Sequence, residues 1–194
     1  MFKITYQVHT YCQMQQMGYK EWQEAMQTAK AIVEKIRQGE EELKSTLPGA
    51  CFQASDYAVS VGTKKYNKGK RGRWREMRYA YLNGLVVIDA DHCREKLGVS
   101  PQELFDRIKN KHDLKAEGIL LVYVSARGDG MKIVFKARPE WSNLICQQYE
   151  MAEHLGILDL VDDACKDSSR LSFLTGPDDV LYYNEDELFN QKNA

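Results

Sequence analysis

Leu85-Val86-Val87-Ile88 is an unbroken apolar run closed by Asp89-Ala90-Asp91. A strand with one wet face alternates apolar and polar residues, whereas a run that is apolar throughout has both faces covered. The sequence therefore predicts a strand buried on both faces and central in its sheet. Side chains two apart on a strand point the same way. Asp89 and Asp91 thus project together from the end of that strand, with Ala90 small and opposite.

The rest of the chain reads as elements around this strand. Phe2 to His9 alternates, placing Ile4, Tyr6 and Val8 on one side of a half-buried strand. Trp22, Met26, Ala29, Val33 and Ile36 form one apolar stripe on a helix from about Tyr19 to Leu43, stopped by Leu47-Pro48-Gly49. Cys51 to Val61 reads as a strand with its exit. Ser100-Pro101-Gln102-Glu103 is a helix start, with Ser as cap, Pro in the first position and Glu three residues on. Ile119 to Ser125 and Met131 to Ala137 read as two strands joined by a glycine-containing turn. Glu140 to Leu155 reads as a helix ending at Gly156. Leu171 to Leu174 and Val180 to Tyr183 are short strands, and 191–194 is a fraying tail. These elements make one α/β domain, which 194 residues suffice to build around a real core.

Composition narrows the class. At 43% hydrophobic and 28% charged residues the chain is not of the disordered type. No apolar run approaches the roughly 18 residues of a membrane helix, and the first residues lack the apolar stretch of a signal peptide. The five cysteines are scattered and none forms a CxxC pair, so neither a structural zinc site nor a disulfide framework is expected. The chain reads as cytoplasmic and reduced. Cys93 and Cys165 read as small core residues. His9, His112 and His154 show no ligand spacing and read as structural or surface residues.

The net charge of −1 hides an uneven distribution. Lys64, Lys65, Lys68, Lys70, Arg71, Arg73, Arg75 and Arg78 crowd one segment with Tyr66 and Trp74 between them, against the single acid Glu76. Such a segment is a footprint for a polyanion or, equally, a solvated loop. Lys68, Lys70, Arg71, Arg73, Trp74 and Arg75 are its candidate nucleic-acid contacts.

Three segments carry chemistry. Asp89 and Asp91 repel each other unless a cation intervenes, and no basic residue neighbours them in sequence. Mg²⁺ or Mn²⁺ held by such carboxylates serves phosphoryl transfer. The alternative is a strand ending in two solvated acids. Ser125-Ala126-Arg127-Gly128-Asp129-Gly130-Met131-Lys132 links two strands. Gly128 and Gly130 permit positive φ and close backbone approach, and successive N–H groups there form an anion nest. Arg127 and Lys132 add positive charge for a phosphate. Read alone, the loop is a glycine-rich turn. Asp162, Asp163 and Asp167 then offer a third acid after a short apolar stretch, and Arg170 leads into Leu171-Ser172-Phe173-Leu174. Alternatively, Asp167 and Arg170 pair across one turn.

In this order, with Leu47-Pro48-Gly49-Ala50-Cys51-Phe52 upstream and Tyr182-Tyr183-Asn184 downstream, the segments resemble the VirE-type N-terminal domain family over about 47–184. These domains belong to mobile-element proteins, often ahead of a helicase, and are similar to primase-polymerases of the archaeo-eukaryotic primase superfamily. The resemblance implies an RRM-like catalytic sheet with flanking helices in a single α/β (α+β) domain over 1–190. Its N-terminal strand and helix would span 1–47 and its catalytic core 48–184.

It further implies a template-dependent nucleotidyltransferase of a mobile-element or phage-like replication system. Asp89, Asp91 and Asp162 would be the catalytic metal ligands. Ser125, Arg127, Gly128, Gly130, Lys132 and Arg170 would bind the nucleoside triphosphate, with Lys132 standing where many superfamily members have His. The partners implied are a nucleic-acid template, DNA first, nucleoside triphosphates and a helicase domain or protein. Two other functions use the same residues: a non-catalytic nucleic-acid-binding module resting on the basic segment, and a metal-dependent nuclease using the same carboxylates.

Overall fold

The N-terminal strand β1 (Ile4–Gln7) is covered on both faces, not one: Thr5 and Gln7 are as buried as Ile4. A computed structural model gives the reason and describes residues 2–162 and 166–189. β1 is an inner strand of a first antiparallel sheet with β2 (Gln15–Met17) and β3 (Gly49–Cys51). Between them runs helix α1 (Tyr19–Arg37), which buries Trp22, Met26, Ala29, Val33 and Ile36, the stripe expected from the spacing. Its N-terminus is closed by Glu21, whose carboxylate accepts the Gly18 N–H at 2.9 Å. The helix stops earlier than expected, before Gly39. That residue adopts φ 111°, a conformation glycine enters without a Cβ penalty. A 3₁₀ turn over Glu41–Thr46 covers the remaining distance to Leu47.

The segment expected as one strand over Cys51–Val61 is broken into the end of β3, then β4 (Ala54–Tyr57) and β5 (Val59–Val61). β5 pairs with β6 (Arg71–Arg73) in a hairpin that carries the basic segment, and β4 pairs with β7 (Ala80–Leu82).

The apolar run forms β8 (Leu85–Ala90), buried at every position. A short helix α2 (Cys93–Leu97) and helix α3 (Pro101–Lys111) follow. α3 carries the expected cap: the Glu103 N–H donates to Ser100 Oγ at 3.2 Å, and the Ser100 N–H donates to Glu103 Oε2 at 2.8 Å. Then come β9 (Ile119–Val124), β10 (Met131–Lys136) and α4 (Leu144–His154). α4 begins later than Glu140 because the Asn143 side chain caps it, accepting from the Ile145 and Cys146 N–H groups. β11 (Ser172–Phe173) joins the first sheet beside β3, and β12 (Val180–Tyr183) joins the second.

The second sheet is antiparallel throughout, in the order β12-β9-β10-β8. Val86, Ile88, Met131, Ile133 and Phe135 pack on one face against Leu104 and Ile108 of α3 and Met151 of α4. Val87, Tyr123 and Val134 pack on the other against Trp22 and Met26 of α1 and Ile4 of β1. Each such side chain, fully buried, contributes about 1.5–3 kcal/mol of transfer free energy. The described elements thus form one mixed α/β domain of antiparallel sheets and helices. No helix among the described residues is long and apolar enough to cross a membrane.

One expectation is corrected. β8 is covered on both faces, but it is an edge strand of its sheet and not a central one. Side chains replace the missing neighbour. The Val87 N–H donates to Gln53 Oε1 at 3.1 Å, Gln148 Nε2 donates to the Val87 carbonyl at 2.8 Å, and the Leu85 N–H donates to Asn83 Oδ1 at 2.9 Å. Buried backbone groups must be paired, and buried amide side chains do this without a strand. Asp163, Cys165 and the 191–194 tail lie outside the described residues.

Candidate active site

The far end of the β8 edge is where the acids meet. The Asp91 N–H donates to the Leu160 carbonyl at 2.9 Å, the Asp162 N–H donates to the Asp89 carbonyl at 2.9 Å, and Ala90 and Val161 form an antiparallel bridge. Residues 160–162 therefore lie along β8 as a one-bridge extension of the sheet. Asp89, Asp91 and Asp162 each offer a carboxylate oxygen within 4.8 Å of the others. Asp89 is buried, and the other two are half-buried. Burial, and next the negative charge of Asp89, push the Asp91 carboxyl above its ordinary value; Asp162 pushes the same way and Lys132 opposes.

The cation missing from the local sequence comes from across the sheet. Lys132 of β10 is directly opposite Asp89, and its ammonium forms a buried ion pair with Asp89 Oδ2. The Lys132 amine, expected at a triphosphate, thus engages Asp89, itself a metal-ligand candidate. Arg170 reaches Asp162 at 3.5 Å.

The glycine loop is shaped by the acids it packs against, and the Gly128 N–H donates to the Ser125 carbonyl at 2.9 Å. Gly128 takes φ 78°, as expected. Gly130 does not have positive φ; it is required for space, because a Cβ there would collide with Asp91 Oδ1 and the Ala90 carbonyl. Asp129 fixes the start of α2, its carbonyl accepting the Cys93 N–H at 2.9 Å and its carboxylate the Arg94 N–H at 3.0 Å. His92, between the acids and α2, is the one non-glycine residue of positive φ among the described residues, at 64°. The Arg37 guanidinium of α1 donates to the Ser125 and Ala126 carbonyls at 3.2 and 3.3 Å and holds the loop from behind.

These parts open on a cleft of about 620 Å³, lined by Asp89, Asp91, Asp162, Ser125, Arg127, Lys132, Arg170 and Arg75, a size that fits a small-molecule ligand. Lys44, which the sequence did not single out, enters from the 3₁₀ turn, and Lys96 from α2. Burial, and next the positive charge of Arg127, push the Lys44 amine below its ordinary value, with Lys132 acting in the same direction. Arg127 itself makes a bidentate pair with Glu41 at 2.7–3.0 Å.

Other expectations are placed elsewhere. Asp167 is turned onto its own loop, where its Oδ1 accepts from the Ser169 N–H and hydroxyl at 2.8 and 2.6 Å, so among the described residues Asp162 is the third acid beside the pair. Trp74 is 5% exposed, with its indole N–H donating to the Lys70 carbonyl at 3.0 Å; it is a packing residue of the hairpin and does not present a stacking face. Lys68, Lys70, Arg71 and Arg73 are exposed on the β5–β6 hairpin and do not line the cleft. Arg75 turns inward, donating to Gln7 and to the Ser169 carbonyl.

The donor set fits a hard divalent cation. It consists of carboxylate oxygens alone. Burial first, and then the charges of Asp89 and Asp162, hold the Asp91 carboxyl above its ordinary value against Lys132 and Lys44, and a bound cation would favour its ionised form. Comparison of the chain with protein-family models, curated proteins and solved structures finds no match.

Proposed function

We propose that the chain is a template-dependent nucleotidyltransferase of primase-polymerase type from a mobile-element or phage-like replication system, akin to VirE-type N-terminal domains. The observation that carries this reading is the meeting of Asp89, Asp91 and Asp162 beside a wall of cations in one cleft. The strands of the second sheet and its helices follow in the order β8, α2–α3, β9, β10, α4, β12, a β-α-β-β-α-β succession, but β8 stands at the sheet edge where an RRM-like sheet has its first strand central, so the reading rests on the site and not on the sheet order.

Asp89, Asp91 and Asp162 would hold Mg²⁺ or Mn²⁺. Such an ion, when bound, lowers the pKa of an attacking 3′-hydroxyl and offsets charge on a leaving pyrophosphate. The chain's own contribution is positioning and fixed positive charge, which phosphoryl transfer chiefly requires. Lys44, Arg127 and Arg170, with Ser125, face the space for a triphosphate. Lys44 is the cation best matched to it, because a phosphate there would offset the burial and the neighbouring positive charge that depress its amine. Lys132 tempers the charge of Asp89. The exposed Lys68, Lys70, Arg71 and Arg73 would follow a DNA template backbone toward the cleft. A helicase domain or protein would supply the unwound strand.

The test is incorporation of labelled nucleoside triphosphates on primed and unprimed single-stranded DNA with Mg²⁺ or Mn²⁺. Extended strands are expected from the wild type, and none from Asp89→Ala/Asp91→Ala with an unchanged circular dichroism spectrum. Shortened strands would identify a nuclease. Absence of products on every template, with salt-sensitive DNA binding indifferent to Asp89→Ala, would identify a binding module.

A further inference from the structure

His112 ends α3, Glu117 lies in the loop before β9, and His154 ends α4. None of the three lines the acidic cleft. Although 42 residues separate the two histidines in sequence, the fold sets their ring centroids 4.9 Å apart, inclined at 61°. His154 Nε2 lies 2.8 Å from Glu117 Oε1, and His112 Nδ1 lies 3.9 Å from the same oxygen. The three donor atoms fall within 4.8 Å of one another. The sequence shows no ligand spacing for these histidines, and their juxtaposition is tertiary.

We infer that His112, Glu117 and His154 form a site for one divalent transition-metal ion, Zn²⁺ foremost, that clips the ends of α3 and α4 to the entry of β9. The donor chemistry selects the metal. Two imidazole nitrogens and one carboxylate oxygen suit Zn²⁺ or Co²⁺, whereas the oxygen-only trio at Asp89 suits Mg²⁺ or Mn²⁺. The geometry is close to what binding needs. Zinc bonds of 2.0–2.2 Å in a tetrahedron put ligand atoms about 3.3 Å apart, and the separations of 2.8 and 3.9 Å bracket that value.

The surrounding shell aims the carboxylate. Arg138 donates to Glu117 Oε2, and its guanidinium is stacked over Trp141 at 4.5 Å, which holds the positive charge on the far oxygen. Oε1 is thereby turned toward both imidazoles, the outer-shell orientation that metal sites commonly use. The His154 side chain is 41% exposed, so water can complete the coordination.

The experiment uses the full chain carrying Asp91→Asn/Asp162→Asn, which disarms the acidic trio for metal and leaves the buried Asp89–Lys132 pair intact. The protein is stripped with a chelator and titrated with Zn²⁺ by calorimetry and with Co²⁺ by visible absorption. One equivalent is expected, with visible Co²⁺ bands of a nitrogen-containing site and no competition from excess Mg²⁺. His112→Gln and His154→Gln should each weaken binding at least about tenfold. In the chain with all histidines intact, Zn²⁺ should shift the side-chain ¹⁵N resonances of His112 and His154 and leave those of His9 and His92 in place. This second readout holds even if the substitutions impair folding. Absence of Zn²⁺ binding by the folded chain would leave only an ion-paired cluster and overturn the assignment. So would undiminished binding in His112→Gln/His154→Gln, or shifts at His9 or His92 instead.

Discussion

Lys132 faces Asp89 across the β8–β10 pair, and the two side chains form an ion pair that is almost wholly buried, 7% and 6% exposed. Removing one partner of such a pair strands a charge in a poor solvent, at a cost of about 3–5 kcal/mol. Lys132→Met should lower unfolding free energy in urea by that amount. Asp89→Asn/Lys132→Met should lose much less than the sum of its single changes, because no charge is left alone. Additive losses in this cycle would mean that the pair is not coupled.

That pair also marks how far the sequence could be read. Local patterns announced the apolar β8, the Asp89 and Asp91 projection, the Ser100 cap, the β9–β10 hairpin and the α1 stripe, because each is set within a turn or a strand's alternation. Register between strands is not local. Nothing near Asp89 in the chain says that Lys132 will be its partner, that Gln53 and Gln148 will stand in for a neighbouring strand, or that residues 160–162 will lie along β8. The same holds for Lys44, which comes from a turn without any motif, and for the meeting of His112 with His154. Composition misled at Trp74: an aromatic among cations reads as a stacking platform, but its large apolar area is worth more buried inside the hairpin.

Gly130 ties the loop to the acids through its missing side chain. A Cβ at this position would overlap Asp91 Oδ1 and the Ala90 carbonyl, and a backbone carbonyl on a paired strand cannot easily yield. Gly130→Ala should destabilise by about 1–3 kcal/mol as an overpacked site. It should also weaken Mn²⁺ binding, read by water-proton relaxation, because Asp91 must move. Gly39→Ala is the control: Gly39 has positive φ, with nothing within 4 Å of the added Cβ, so this change should cost stability and leave Mn²⁺ binding unchanged.

The β5–β6 hairpin separates charge from packing. Lys68, Lys70 and Arg71 are exposed, so changing them together to Ala should flatten the salt dependence of single-stranded DNA binding, by about one unit of slope for each phosphate no longer neutralised. The melting temperature should barely change. Trp74→Ala should do the reverse, costing about 3–5 kcal/mol of stability as a large buried side chain is removed. Tyr66 is the aromatic with an accessible ring, packed against Tyr11 at 5.1 Å between centroids. Tyr66→Ala should lower DNA affinity by the roughly 1–3 kcal/mol that one base stack supplies. Unchanged affinity would remove stacking from the account of this hairpin.

The cysteines give a pH test of the fold around the cleft. Burial pushes the Cys51 thiol up to about 11, against a partial opposing effect of its hydrogen bond with Tyr57. Burial, and next the charge of Asp129, push the Cys93 thiol up to about 11 as well. Both side chains are fully covered, whereas Cys12 and Cys146 are half-buried. The thiolate is the reactive form, so raising the pKa suppresses reaction at neutral pH and burial blocks the reagent. Iodoacetamide at pH 8, read peptide by peptide in a mass spectrometer, should label Cys12 and Cys146 and spare Cys51 and Cys93. In urea all four should react. Because Cys93 begins α2 and the Asp129 carboxylate accepts the Arg94 N–H of that helix's first turn, Asp129→Ala, which keeps only the backbone bond to the Cys93 N–H, should open Cys93 to labelling while Cys51 stays protected. Equal protection of Cys93 in that variant would mean that α2 is held in place without the Asp129 carboxylate.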